Sequence, residues 1–141
     1  MNPREFQHLA SRLAEKGNFP SEFRTAISRS YYAVYNVGVE LLKGMGFSPK
    51  EGPGGHGDVS DHFNYSGEPA VTRVASQMID LAARRRHADY KLRRNDVEKK
   101  LTAVTLVHQA ERMIETLDKT CFGDKREQII ESIRDWKRKI E

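Results

Sequence analysis

Apolar residues recur at steps of three and four along most of the chain, and no run alternates strictly between apolar and polar. That periodicity predicts helices and no strands. A first helix is expected from Asn2, with Pro3 at its first position, where a missing N–H costs nothing. Phe6, Leu9, Ala10 and Leu13 would form its buried stripe and Gly17 its stop. A second helix starts near Pro20 and Ser21 and runs to about Gly44, with Phe23, Ile27, Tyr31, Val34, Gly38, Leu41 and Met45 on one stripe. Tyr32, Tyr35, Val39 and Leu42 make a second stripe beside it. A helix apolar over that much of its girth belongs at the centre of a bundle or in a subunit interface.

Gly44 to Gly57, GMGFSPKEGPGGHG, breaks this regularity and is expected to be a mobile connector. It lacks both the spacing and the lysine of a phosphate-binding Walker loop. His56, Asp58 and Asp61 open a short helix through about Asn64. Glu68 and Pro69 start a longer one, with Val71, Val74, Ala75, Met78, Ile79 and Ala82 inward. Asn95 or Asp96 would cap the next helix. Its face is Val97, Leu101, Val104, His108, Ile114 and Leu117, reinforced by Val107 and Ala110, with His108 taken as a core histidine. Asp124 and Glu127 have capping-box spacing for a last helix, whose face is Ile129, Ile133, Trp136 and Ile140. The expected fold is all-α: a five- or six-helix bundle with an up-down core over residues 1–122 and an extra amphipathic helix, 123–141, packed on or extending from the same domain.

Composition narrows the class. With 141 residues, 38% apolar and 31% charged, the chain suits one helical domain rather than a disordered segment. No apolar run approaches the roughly 20 residues that span a bilayer, and the start MNPREFQHLA carries no signal-peptide core. A cytoplasmic protein is expected. The single Cys121 cannot form an internal disulfide, and it lies near a helix end as a small apolar residue. The net charge of +4 admits a polyanionic partner without requiring one. Its distribution is more telling: Arg84, Arg85, Arg86, Lys91, Arg93 and Arg94 crowd one segment.

That segment holds the densest chemistry, RRRHADY from Arg84 to Tyr90. On a helix Arg85 and Asp89 share a face, as do Arg86 and Tyr90. A base that takes a ribose hydroxyl proton, with arginine stabilising charge on the phosphate, is what phosphodiester cleavage requires. His87 could supply the base, since imidazole titrates near neutrality. Asp80 with Arg84, and Asp89 with Arg85 or Arg93, equally make ordinary surface pairs at a helix end. His56, Asp58, Asp61 and His62 lack any recognised metal-ligand spacing, and neither a metal nor a cofactor is expected.

Three segments in order, SRSYYAVYN (Ser28–Asn36), HGDVSDHF (His56–Phe63) and RRRHADY (Arg84–Tyr90), resemble the HEPN family, over roughly Pro20 to Leu117. Small prokaryotic members show an AxSRxYYAxFH-like helix, then His-Gly and a short helix ending in Phe, then Arg-x-x-Ala-Asp-Tyr. The resemblance implies a helical bundle, commonly a homodimer, partnered by a minimal nucleotidyltransferase in toxin–antitoxin modules. Several members are metal-independent ribonucleases that use Arg, four to six residues, then His at a cleft between two copies. In some modules the partner modifies a tyrosine two residues after that histidine. Here no arginine stands at that spacing before a histidine, and Asn36 takes a position often held by His. The motifs carry over Arg85, Asp89 and Tyr90, Arg29 and Tyr32, and His56; His87 is added from chemistry. The expected catalytic set is therefore Arg85, His87, Asp89 and Tyr90, with Arg29, Tyr32, His56, Arg84 and Arg86 contacting nucleotide or RNA. A non-catalytic module that binds nucleotide or RNA, or that docks a nucleotidyltransferase, is the alternative, and a helical domain without a polyanion ligand is a third.

Overall fold

The computed structural model describes residues 1–141 and contains six α-helices and no strand. They are α1 (Arg4–Lys16), α2 (Pro20–Gly44), α3 (Pro53–Asn64), α4 (Pro69–Tyr90), α5 (Lys100–Cys121) and α6 (Arg126–Ile140), with a 3-10 turn at Asp96–Glu98. No helix is long and apolar enough to cross a membrane.

The long α2 is the axis of the bundle, as its two apolar stripes predict. It packs against α1, α3, α4 and α5, and residues from Phe23 to Leu42 are buried around most of its circumference. Pro20 supplies the preset first turn. The Glu22 carboxylate reaches back to accept the Asn18 and Phe19 backbone N–H groups, each at 3.0 Å. The larger core cluster joins Tyr31, Val34 and Leu41 of α2 to Phe63, Met78, Leu117 and the α6 residues Ile129 and Ile133. A smaller one joins Ala10 and Ala14 of α1 to Phe23 and Ile27 of α2 and to Val97, Ala103 and Val107. The alanines let α1 lie close to its neighbours. Gly38 does the same for α3: a Cβ there would stand 2.9 Å from Val59 Cγ1 and 3.0 Å from Phe63 Cε2.

Several elements differ from the spacing-based expectation. Helix α1 begins at Arg4, and Asn2 Oδ1 accepts the Arg4 N–H instead of opening the helix from within. Its enclosed residues are Gln7, Ala10 and Ala14, while Phe6, Leu9 and Leu13 are half-buried. The glycine-rich segment is not a loose connector throughout, because α3 takes up Gly54, Gly55 and Gly57. Gly52 at φ +74° makes the entry turn, where other residues would be strained. Neither Asn95 nor Asp96 caps α5; the 3-10 turn intervenes and Lys99 precedes the helix. The Asp124–Glu127 box does not form either, since α6 starts one residue later than that spacing requires. Ile79, Leu101 and Ile140 point to solvent. His108 is an exposed residue 3.7 Å from the Glu15 carboxylate, not a core histidine.

One buried cation fastens the loop after α4. Arg24, 8% exposed in the first turns of α2, donates to the carbonyls of His87, Ala88, Lys91, Leu92 and Arg94, and to Glu98 Oε2 at 2.8 Å. The first two belong to the last turn of α4, where the His87 carbonyl also accepts the Lys91 N–H at 3.0 Å, so a side chain from another helix helps to cap α4.

Candidate functional site

The three sequence segments converge. Ser28, Tyr31, Tyr32 and Tyr35 stand at i, i+3, i+4 and i+7 on α2, a single face. His56 on α3 and Arg85 and Asp89 on α4 meet that face. The Tyr31 hydroxyl and His56 Nδ1 are 2.6 Å apart. The imidazole lies 4.4 Å from the Tyr35 ring centre and 5.6 Å from that of Tyr31, with the Tyr32 ring edge-on at 6.2 Å. Three aromatic rings on one helix thus fix a histidine carried by another.

Arg85 lies against two of the same tyrosines. Its guanidinium carbon lies 5.5 Å from the Tyr31 ring centre, 5.4 Å from Tyr32 and 5.9 Å from Tyr90. The residue is 8% exposed, yet Nε is enclosed with no hydrogen-bond partner. Nη1 stands 3.6 Å from Asp89 Oδ2, beyond hydrogen-bonding range. Asp89 Oδ2 instead accepts from Ser28 Oγ at 3.2 Å. A buried cation whose donors are unused carries a desolvation cost that the aromatic faces offset only in part.

Arg29 extends the stack outward, 4.8 Å over Tyr32 and 5.5 Å over Phe6. Arg86 lines a pocket of about 160 Å³ with Tyr31, His56, Gly57, Ser60, Met78, Ile79 and Ala82. Burial, reinforced by Arg85 and then Arg86, lowers the His56 pKa below its ordinary 6.5. Burial pushes the Tyr31 phenol up to about 12 against an opposing pull from Arg85, and Tyr35 is raised for the same first reason. At neutral pH the site is therefore a neutral imidazole and neutral phenols beside two fixed cations.

Of the residues expected from sequence, Arg29, Tyr32, His56, Arg85, Arg86, Asp89 and Tyr90 are brought together. Arg84 is not, and its nearest anion is Asp96 at 3.8 Å. His87 is not either. Two residues along a helix turn through about 200°, so His87 faces away from both Arg85 and Asp89, and its Nδ1 is enclosed without a partner. Tyr31 and Ser28 were missed. Their signal was present in the i, i+3, i+4, i+7 register of Ser28, Tyr31, Tyr32 and Tyr35, which resembles core packing until His56 is placed against it.

His62, the other histidine of α3, belongs to a different contact. Its Nδ1 donates to the Asp58 carbonyl at 2.6 Å and its Nε2 accepts from Lys137 at 3.3 Å, which ties α3 to α6. No group of three or more His, Cys, Asp or Glu side chains gathers as metal ligands would. Comparison with family models, curated proteins and solved structures finds no match in any of the three.

Proposed function

We propose that this chain is a HEPN-type helical protein of toxin–antitoxin kind, a metal-independent endoribonuclease that works as a homodimer and holds RNA phosphate on Arg85. The observation that carries the reading is the Arg85 guanidinium: enclosed, stacked on tyrosines, and without a hydrogen bond from the chain. A phosphodiester oxygen offers the acceptor it lacks, and the low local dielectric strengthens the attraction. The resemblance supports the same site, because its three motifs supply the residues that meet there.

The test is cleavage of a labelled single-stranded oligoribonucleotide in excess chelator, with binding followed by fluorescence anisotropy. Arg85→Ala is expected to lower cleavage by about 10²-fold or more, the scale of losing one preorganised charge-stabilising donor. Sedimentation at micromolar concentration is expected to give a dimer; a clean monomer would count against a cleft between copies.

A second reading is a non-catalytic module that binds nucleotide or RNA, or docks a minimal nucleotidyltransferase. The placement of His87 away from Arg85 favours it, since the family's arginine–histidine pair is then not formed within α4. RNA binding without cleavage would select the first version. Absence of both, with co-purification of a nucleotidyltransferase, would select docking.

A further inference from the structure

We propose that His56, not the histidine next to Arg85 in sequence, is the proton acceptor of this site, with Tyr31 as the residue that positions it. The inference rests on the RNA-cleavage reading above and assigns the base within it. His56 and Arg85 both lie near the Tyr31 ring, with ring centres 5.6 Å apart for His56 and the guanidinium carbon 5.5 Å away for Arg85. The imidazole also walls the 160 Å³ pocket together with Arg86. A proton acceptor from α3 and the Arg86 cation from α4 therefore share one recess, with the Arg85 guanidinium against the Tyr31 ring that helps to wall it.

Orientation follows from the contacts. The Tyr31 oxygen lies 2.6 Å from Nδ1, and the rings of Tyr31, Tyr32 and Tyr35 surround the imidazole. An Nδ1–H donated to that oxygen leaves the Nε2 lone pair for chemistry, because the hydrogen bond at one ring nitrogen sets the role of the other. The charged and titratable groups that face His56 are Arg85 and Arg86 from α4 and Tyr31, Tyr32 and Tyr35 from α2, while Glu51 and Asp58 act on Tyr35. Burial, and then Arg85 and Arg86, lower the pKa of the ring from its ordinary value and so favour the unprotonated form that a base needs. The other histidines are otherwise placed: His62 has both nitrogens engaged, His108 faces Glu15, His8 is exposed and His87 faces away from Arg85.

The step balances without a metal. Nε2 takes the ribose 2′-hydroxyl proton, the 2′-oxygen forms a bond to phosphorus, and the bond from phosphorus to the 5′-oxygen breaks. Water gives that oxygen its proton, and the imidazolium returns its own to the hydroxide left behind. The products are a 2′,3′-cyclic phosphate and a 5′-hydroxyl.

The experiment uses the full chain and a 5′-labelled oligoribonucleotide that contains every dinucleotide step. His56→Gln is expected to reduce cleavage by about 10²–10⁴-fold, the usual contribution of a positioned base. Its RNA affinity should stay within about threefold of the parent, the pattern of a group that acts in the transition state. Circular dichroism checks that the variant folds. Nitrogen-15 imidazole spectra of the parent should show the proton on Nδ1, and Tyr31→Phe should shift that tautomer balance and slow cleavage without weakening binding. His56→Gln cleaving at the parental rate, or a parent His56 protonated on Nε2, overturns the assignment of the base alone. A parent that cleaves no RNA overturns the assignment together with the reading beneath it.

Discussion

Arg85 and Arg24 are both buried arginines, and they differ in whether the chain satisfies them. Arg24 donates to five carbonyls and a carboxylate, so its burial is compensated. Arg24→Ala takes the donor away from carbonyls of the α4 terminus and the loop after it, and is expected to destabilise the fold by about 2–4 kcal/mol, seen as a lower midpoint in chemical denaturation. Arg85→Ala removes a cation with no hydrogen bond, so it should cost less stability than Arg24→Ala, and under the proposed function its effect falls on RNA cleavage. Titration separates the aromatic pair. Tyr31 holds its proton more tightly in the fold, from 10.0 up to about 12. Its stabilising contribution is full below pH 10 and is lost as pH rises from 10 to 12, so alkaline unfolding should steepen there and be blunted in Tyr31→Phe. His56 is lowered from 6.5. Its contribution is present above that value and lost as pH falls below it, which histidine NMR titration would detect. Arg85, Asp89 and Tyr90 were legible in sequence because one helical register relates them. His56 and Tyr31 are 25 positions apart, and no local spacing encodes their meeting. Arg24 was hidden for the same reason, since its acceptors are backbone atoms more than sixty residues away.

At the scale of elements, apolar periodicity located the helices but not all their ends. Ends depend on single hydrogen bonds, and here tertiary contacts override local caps: Arg24 caps α4, and the 3-10 turn displaces the expected cap of α5. Helix α3 shows the effect most clearly. Gly54, Gly55 and Gly57 are weak helix formers, yet α3 includes all three, and at Gly55 the helix lies hard against α2 and the preceding loop. A Cβ at Gly55 would stand 2.7 Å from the Tyr35 hydroxyl and 2.2 Å from the Lys50 carbonyl oxygen. Gly55→Ala is therefore expected to destabilise the fold by about 1–3 kcal/mol, the range for overpacking. It should also disturb the adjacent His56, visible as changed imidazole shifts even where the protein stays folded. Gly38→Ala should cost less in stability if Val59 can rotate away, since its closest clash is with side-chain atoms rather than backbone.

At the scale of the molecule, the all-helical bundle was legible because it rests on the 3.6-residue period, which a single face of each helix expresses. Isolated exceptions such as Leu101, 78% exposed, do not disturb that pattern. The charge distribution also survives folding. Arg86, Lys91, Arg93 and Arg94 remain exposed at the end of α4 and in the turn after it, on the segment that carries the enclosed Arg85. Nucleic acid held there should bind with an affinity that falls steeply between low and moderate salt, and charge reversal of Arg93 and Arg94 should flatten that slope. Finally, Cys121 is fully enclosed in the same cluster as Ile129, Ile130 and Ile133 of α6, and burial pushes its thiol up to about 11. Being the chain's sole sulfhydryl, it serves as an internal clock: the rate at which an alkylating reagent consumes it measures how often the cluster around it opens, with no label added and no background from a second site.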